Sequence, residues 1–212
     1  MPDVDANHPY GNALRERLSR NLGRFQRRTH RSTQLTHAAV ALAVVPDDEG
    51  NGCFVLTRRA SKLKDHPGQW ALPGGRRDYD ENAFETASRE CHEEVGLALG
   101  HESCLGLLDD YPTRSGYVIT PVVFWCEPDV NLTPNEDEVA EIHRVPLADL
   151  DHPEVPRLRS IPESDRPVIS VPLLGTHIHA PTAAILYQLR EVVVHGRDTR
   201  VDHYEQPVFA WR

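Results

Sequence analysis

Between Gly75 and Leu97 the chain sets Glu81, Arg89, Glu90, Glu93 and Glu94 at fixed offsets, with Gly75 ahead of them and Gly96-Leu97 behind. A helix over 83–95, turning about 100° per residue, puts Glu90, Glu93 and Glu94 at i, i+3 and i+4 on one face. Ala83, Thr86 and Ala87 are expected to continue that face, small enough to leave room beside the acids. Phe84, Cys91 and Val95 fall opposite, an apolar stripe for docking on a sheet. Three like charges on a solvated face repel by roughly a few tenths of a kcal/mol per pair, and by more in a cleft. A hard divalent cation with oxygen ligands removes that cost, and Mg²⁺ or Mn²⁺ suits carboxylates that also face phosphates. A solvated acidic face requires none of the fixed offsets of Gly75, Glu81 and Arg89.

The elements that must position this helix follow from hydrophobic patterning. Residues 10–28 carry Leu14, Leu18, Leu22 and Phe25 at helical spacing. His37–Val45 and Cys53–Thr57 read as two strands of a hairpin across the turn cluster Pro46–Gly52. Residues 60–80 are expected to be one long loop ending in Leu72-Pro73-Gly74-Gly75. Cys104–Leu108, Tyr117–Cys126 and Val139–Val145 read as strands, with a polar loop at Glu127–Asp137 and a turn of helix at Pro146–Leu150. Residues 151–172 hold five prolines, at 153, 156, 162, 167 and 172, and are expected to be irregular or edge-like. Ala180–Val194 reads as a helix, with Pro181 in its first turn and Gly196 past its end. Mixed strands and helices around a sheet make the fold α/β or α+β. The expected layout is an N-terminal extension over 1–35, a domain over 36–196 and a tail over 197–212.

The run Gly75-x5-Glu81-x7-Arg89-Glu90-Cys91-x-Glu93-Glu94-x-Gly96-Leu97 resembles the complete signature of the Nudix hydrolases, and the resemblance extends over roughly residues 36–195. It implies a mixed sheet sandwiched between helices. It also implies hydrolysis of a nucleoside diphosphate linked to another moiety. Glu90, Glu93, Glu94 and the Gly75 carbonyl would hold Mg²⁺ or Mn²⁺. Glu81 and Arg89 would be further members of the catalytic set, and one more acid would come from a downstream loop. Glu136, Asp137, Glu138 and Glu141 are the candidates for that acid, with Glu138 taken as a metal ligand. Such ions neutralise charge on the diphosphate and activate water for in-line attack on phosphorus. Glu90 or the loop acid would orient or deprotonate that water. Arg89 is expected to pair with a signature carboxylate and fix its rotamer. Glu81 stands where the helix begins, open to capping or to the metal's water.

The preceding run, Val55-Leu56-Thr57-Arg58-Arg59-Ala60 with Lys64, Gly68 and Leu72-Pro73-Gly74-Gly75, resembles the extra motif of Nudix enzymes that hydrolyse coenzyme A. It departs at Lys64, where the family usually has arginine, and at Leu72, where it usually has phenylalanine. Leu105–Asp110, Ser115-Gly116-Tyr117 and Thr120–Val123 look like the same subgroup. That resemblance implies cleavage of coenzyme A to 4′-phosphopantetheine and adenosine 3′,5′-bisphosphate. The alternatives are ADP-ribose, dinucleotides or nucleotide sugars, and, from another class, a non-catalytic ligand-sensing module. Arg58, Arg59, Lys62 and Lys64 form a cationic cluster for a diphosphate and an extra ribose phosphate. Arg58, Arg59, Lys64, Gly74 and Gly75 are the candidate substrate-binding residues, the glycines allowing close backbone approach.

A net charge of −9 argues against a general nucleic-acid binder. Arg15, Arg17, Arg20, Arg24, Arg27, Arg28 and Arg31 are accordingly expected to be the solvated face of the N-terminal helix. Cys53, Cys91, Cys104 and Cys126 show no metal-ligand spacing and read as reduced thiols of a cytoplasmic protein. No run has the length of a membrane span. His177 and His179 alternate on a strand and so face one side, but without further ligands of recognisable spacing. Trp70 is expected either to line the cleft or to fill core. The aromatic tail, Arg200–Trp211, is expected to dock on the domain or on a second subunit of a homodimer.

Overall fold

A computed structural model describes residues 7–63 and 66–210. Strand β1 (Thr36–Pro46) is its centre, because its alternation of small and larger apolar side chains serves two cores at once. Ala39, Ala41, Ala43 and Val45 point to one face, and Leu42 and Val44 to the other. β1 runs parallel to β7 (Tyr117–Trp125) along nine registered pairs, Thr36↔Tyr117 to Val44↔Trp125. On its other edge it is shared. Its C-terminal end pairs with β2 (Gly52–Arg59) and its N-terminal half with the three-residue β4 (Gly74–Arg76), both antiparallel. The order β3-β2-β1-β7-β5 is completed by β3 (Trp70–Ala71) and β5 (Cys104–Leu107), while β6 (Tyr111–Pro112) pairs with β7 and β8 (Val139–Pro146) with β2.

Helix α2 (Ala83–Val95) covers the alanine face of the sheet, where Ala87, Cys91 and Val95 pack with Val55, Val122 and Phe124. Helices α1 (Asn12–Arg24) and α3 (Thr182–Gln188) cover the opposite face through Leu14, Leu18, Leu22, Ile185 and Leu186. The result is a mixed sheet between helices, the layout that the family resemblance implies.

Four segments differ from the sequence-based expectation. The 60–80 stretch is not one loop, since β3 and β4 pair with β2 and β1 within it. Residues 157–179 form a second, three-stranded antiparallel sheet, β9 (Arg157–Ile161), β10 (Ser164–Leu173) and β11 (Thr176–His179), ordered β11-β10-β9. Two of its prolines are tolerated because Pro162 lies in the β9–β10 turn and Pro167 lies within the register shift between Ser164 and Val168. The last helix is α-helical only over Thr182–Gln188. It widens to a π-helix over Leu189–Val194, with the His195 amide donating to the Arg190 carbonyl at 3.0 Å. Helix α1 stops at Arg24, so Arg27 and Arg28 do not belong to its solvated face. Arg27 donates to Asp110 at 2.5 Å, and the Arg28 backbone amide donates to Asp109 at 2.6 Å.

The tail docks on the domain. Arg200 meets Asp109 at 2.9 Å, and Glu205 accepts from Arg114 at 2.5 Å and from Ser164 at 2.8 Å. Trp211 lies outside the described residues. The four cysteines are free thiols. Among the described residues no helix is long and apolar enough to cross a membrane.

Glu205 sets an acid limit on this docking. The Arg114 guanidinium, with the Gln206 amide and the Ser164 hydroxyl, holds its carboxyl at about 2, below the usual 4.5. A depressed acid stabilises the fold fully above the unfolded value and loses that contribution as pH falls toward the folded one. Arg114 is half exposed, so the contribution is roughly 1–2 kcal/mol after screening. The expected result is a Glu205→Gln variant with a lower Tm than the parent at pH 7, the gap closing between about pH 4.5 and 2. A gap that persists at pH 2 would contradict this assignment.

Candidate active site

The acid helix is built to start and stop where it does. The Asn82 side chain accepts from the Phe84 and Glu85 amides at 2.9 and 3.1 Å, and Glu85 returns a bond to the Asn82 amide at 2.7 Å. This capping box satisfies the open end, and Gly96, at φ 73°, closes the other in the left-handed region. The cap is therefore Asn82, and Glu81 lies before the helix rather than at its start.

The docked face also differs from expectation. Ala87 is fully buried with Cys91 and Val95, and Glu94 is 4 % exposed. Helix rotation explains it. Glu94 stands about 20° from Ala87 around the axis, Glu90 about 40° farther and Glu93 about 60° beyond that. The three acids thus lie on a gradient away from the sheet, their side chains 4 %, 14 % and 50 % exposed for Glu94, Glu90 and Glu93.

One guanidinium organises two of them. Arg89 grips Glu81 bidentately, Nε to Oε1 at 2.7 Å and Nη2 to Oε2 at 3.1 Å. Its Nη1 donates to Glu90 at 2.8 Å and to Glu93 at 3.0 Å, and its Nη2 reaches the Arg76 carbonyl at 3.2 Å. Glu81 accepts further from the Thr86 hydroxyl at 2.8 Å and the Asp78 amide at 3.2 Å, and the Arg89 pairing holds it at about 2. Arg89 is pushed up by the same pairing.

Glu94 is left out of that grip. Burial first, then the neighbouring Glu90 charge, push it up to about 8, opposed by Arg59 and a hydrogen bond from the Gly74 amide. Burial also raises Glu90, with Arg89 opposing and Glu93 and Glu138 adding to it. Glu138 is the loop acid that faces both Glu90 and Glu94. Asp137 is instead paired with Lys62 at 2.5 Å, and Glu141 with Arg58 at 3.0 Å and His143 at 3.0 Å. The expected cation cluster is therefore split. Arg58 and Lys62 serve carboxylates of the 137–141 segment, whereas the buried Arg59 Nε has no hydrogen-bond partner. Lys64 lies outside the described residues.

Glycines bring backbone against these acids. Gly75 pairs with Ala39 on β1, and a Cβ added to it would sit 2.3 Å from Glu90 Oε1. Beside them opens a cleft of about 880 Å³, its walls including Arg58, Arg59, Trp70, Gly74, Gly75, Arg76, Tyr117, His177 and His179. Trp70 does line it, edge-on to His143 at 5.0 Å with Arg58 5.9 Å from its ring. Arg76, over the Tyr117 ring at 5.5 Å, and the His177–His179 wall have no local signal for a cleft, because β4, β7 and β11 bring them together from distant parts of the chain.

Among the described residues no three His, Cys, Asp or Glu side chains converge as a ready metal cluster. The reason is visible in the geometry: Glu90 and Glu93 are turned to Arg89. A divalent cation nevertheless fits the donor set. Glu94 is buried beside the charge of Glu90, whose side chain is 14 % exposed, and among the described residues Glu94 makes no ion pair.

The family model of the NUDIX domain matches residues 35–165. NudL of Pectobacterium atrosepticum, described as an uncharacterized Nudix hydrolase, is 44% identical over 95 residues, which cover 44% of this chain and 50% of that protein. Its Yersinia enterocolitica counterpart is 36% identical over 135 residues, 61% of this chain and 68% of that one. The chain thus spans half to two thirds of the length of these relatives. Among solved structures, the Nudix hydrolase RenU of M. smegmatis superposes with a TM-score of 0.50 at 23% identity, covering 78% of this chain and 89% of RenU. A MutT/nudix family protein of Enterococcus faecalis superposes with a TM-score of 0.51 at 15% identity, covering 84% of this chain and 73% of that one. At such identities these structures speak to the fold alone.

Proposed function

Because this chain belongs to the Nudix hydrolase family, we propose that its carboxylate helix and adjoining cleft carry out divalent-metal-dependent hydrolysis of coenzyme A at its diphosphate. The hydrolase class is that of the family. The observation that carries the metal-dependent chemistry is Glu94, buried with no ion pair among the described residues, next to Glu90 and beside a cleft floored by Gly74 and Gly75. Two like charges do not stay ionised together out of water without a counter-cation.

Glu90, Glu93, Glu94, Glu138 and the Gly75 carbonyl are the proposed ligands of Mg²⁺ or Mn²⁺. When bound, the ion supplies charge neutralisation on the diphosphate and acidifies water. The protein's own groups do the rest. Arg89 holds Glu90 and Glu93 in one rotamer each until they are drawn to the site, and Glu81 fixes Arg89. Arg59, its Nε unpartnered at the cleft wall, is the proposed donor to the diphosphate oxygens. Gly74 and Gly75 let the backbone come within contact of substrate. Glu138, facing Glu90 and Glu94, is the proposed acceptor of the water's proton.

Two features support coenzyme A as the substrate. The Val55–Gly75 and Leu105–Val123 runs resemble that subgroup, and members of both, Arg58, Arg59, Ser115 and Tyr117, line the cleft. Its volume suits an elongated nucleotide conjugate. The test is kcat/KM for coenzyme A, dephospho-coenzyme A and ADP-ribose with Mg²⁺ and with Mn²⁺. Coenzyme A is expected to be cleaved at least about tenfold more efficiently than ADP-ribose, a difference of ~1.4 kcal/mol in transition-state binding. A preference for ADP-ribose overturns the substrate assignment and leaves the metal chemistry standing.

A further inference from the structure

The second sheet carries a group of cations that the catalytic helix does not use. Across its three strands Arg157, Ser170 and His179 stand in one register row, with Val168↔Arg159 and Pro172↔His177 in the rows to either side. Because side chains alternate, Arg157, Arg159, His177 and His179 share one face, and Ile169, Val171 and Ile178 are buried on the other. His177 and His179 line the catalytic cleft, and they also line a second hollow of about 520 Å³ with Arg157, Arg159 and Ser170. The face therefore continues the cleft wall away from Gly75.

Part of this group is paired, and part lacks polar partners among the described residues. Glu154 pairs with Arg157, and Arg157 lies 3.1 Å from His177 Nε2. With Nε2 accepting from Arg157, the His177 ring proton sits on Nδ1. The buried His179 Nδ1 has no hydrogen-bond partner. Arg159 is exposed and makes no ion pair among the described residues. Meanwhile Arg58 and Lys62 are engaged by Glu141 and Asp137.

We propose that Arg159, His177 and His179 form a subsite for a phosphomonoester carried by the substrate apart from its scissile diphosphate. This rests on the reading of the cleft as the substrate site. An arginine with two imidazole donors suits a dianionic phosphate, which takes several charge-assisted hydrogen bonds at once. A substrate with its diphosphate at Arg59 and Gly75 and a ribose phosphate at Arg159 would span the cleft. Arg159 and His177 would then determine specificity without touching the reacting atoms.

The test compares the parent with an Arg159→Gln/His177→Gln double variant, both positions being exposed. Calorimetry measures binding of adenosine 3′,5′-bisphosphate and of adenosine 5′-monophosphate. The parent is expected to bind the bisphosphate about tenfold more tightly, and the variant to lose that difference. The ratio of kcat/KM for coenzyme A to that for dephospho-coenzyme A is expected to fall about tenfold in the variant. Equal binding of the two nucleotides by the parent, or a preference that survives in the variant, overturns the subsite. If coenzyme A is not cleaved, the substrate assignment fails while the nucleotide comparison still decides the subsite.

Discussion

Glu94→Gln is expected to lower kcat on the order of 10²–10⁴-fold with the fold intact. The side chain is 4 % exposed, and burial and the Glu90 charge push its carboxyl up to about 8. An acid whose folded value is raised costs stability above its unfolded value, because the buried group must stay protonated or carry an uncompensated charge. Glutamine has the same shape and no charge, so the metal-free Tm at pH 7 should hold or rise. Mn²⁺ should raise the Tm of the parent and leave the variant's almost unmoved, since a cation that binds only the folded state stabilises it. A variant that retains parental kcat would sink the assignment of Glu94 as a metal ligand. A variant that loses activity together with its metal-free Tm would point to a structural role.

Two adjacent glycines are expected to fail in opposite ways. A Cβ on Gly74 would lie 2.4 Å from the Ala39 carbonyl oxygen and 2.7 Å from Val40 Cα, backbone of the central strand that cannot yield. Gly74→Ala should cost about 3 kcal/mol or more, enough to leave a marginal domain largely unfolded. The three atoms nearest a Cβ on Gly75 all belong to the Glu90 carboxylate, at 2.3–2.7 Å, the far end of a flexible side chain. Gly75→Ala should keep Tm within a few degrees and lower kcat on the order of 10–100-fold, by displacing a proposed ligand. Thermal melts and kcat on the two purified variants separate these effects. Parental activity in Gly75→Ala would show that the position of Glu90 does not matter to turnover.

Much of this was legible in residues read locally. Helix 83–95 follows from its 3.6-residue periodicity, though its Asn82 cap was seen only in the fold, and strands β1, β2, β7 and β8 follow from their apolar patterning. Glu90, Glu93 and Glu94 fall on neighbouring turns by spacing alone. The β9–β10 pair was not legible. Its prolines read as breakers until the turn and the register shift that accommodate them are in view.

The sequence by itself determined the helix, its acids and the family's chemistry, because these depend on offsets of three to eight residues along one element. Only the tertiary structure decided how each acid is used. The tilt of α2 on β1 buries Glu94 and leaves Glu93 half exposed. Arg58–Glu141 and Lys62–Asp137 join residues 83 and 75 positions apart, so no local pattern announces that those cations are already spent. The opposite wall of the cleft comes from β11, a hundred residues beyond Gly75. Side-chain spacing is a property of one element, whereas burial, ion pairing and the walls of a cleft depend on which elements meet.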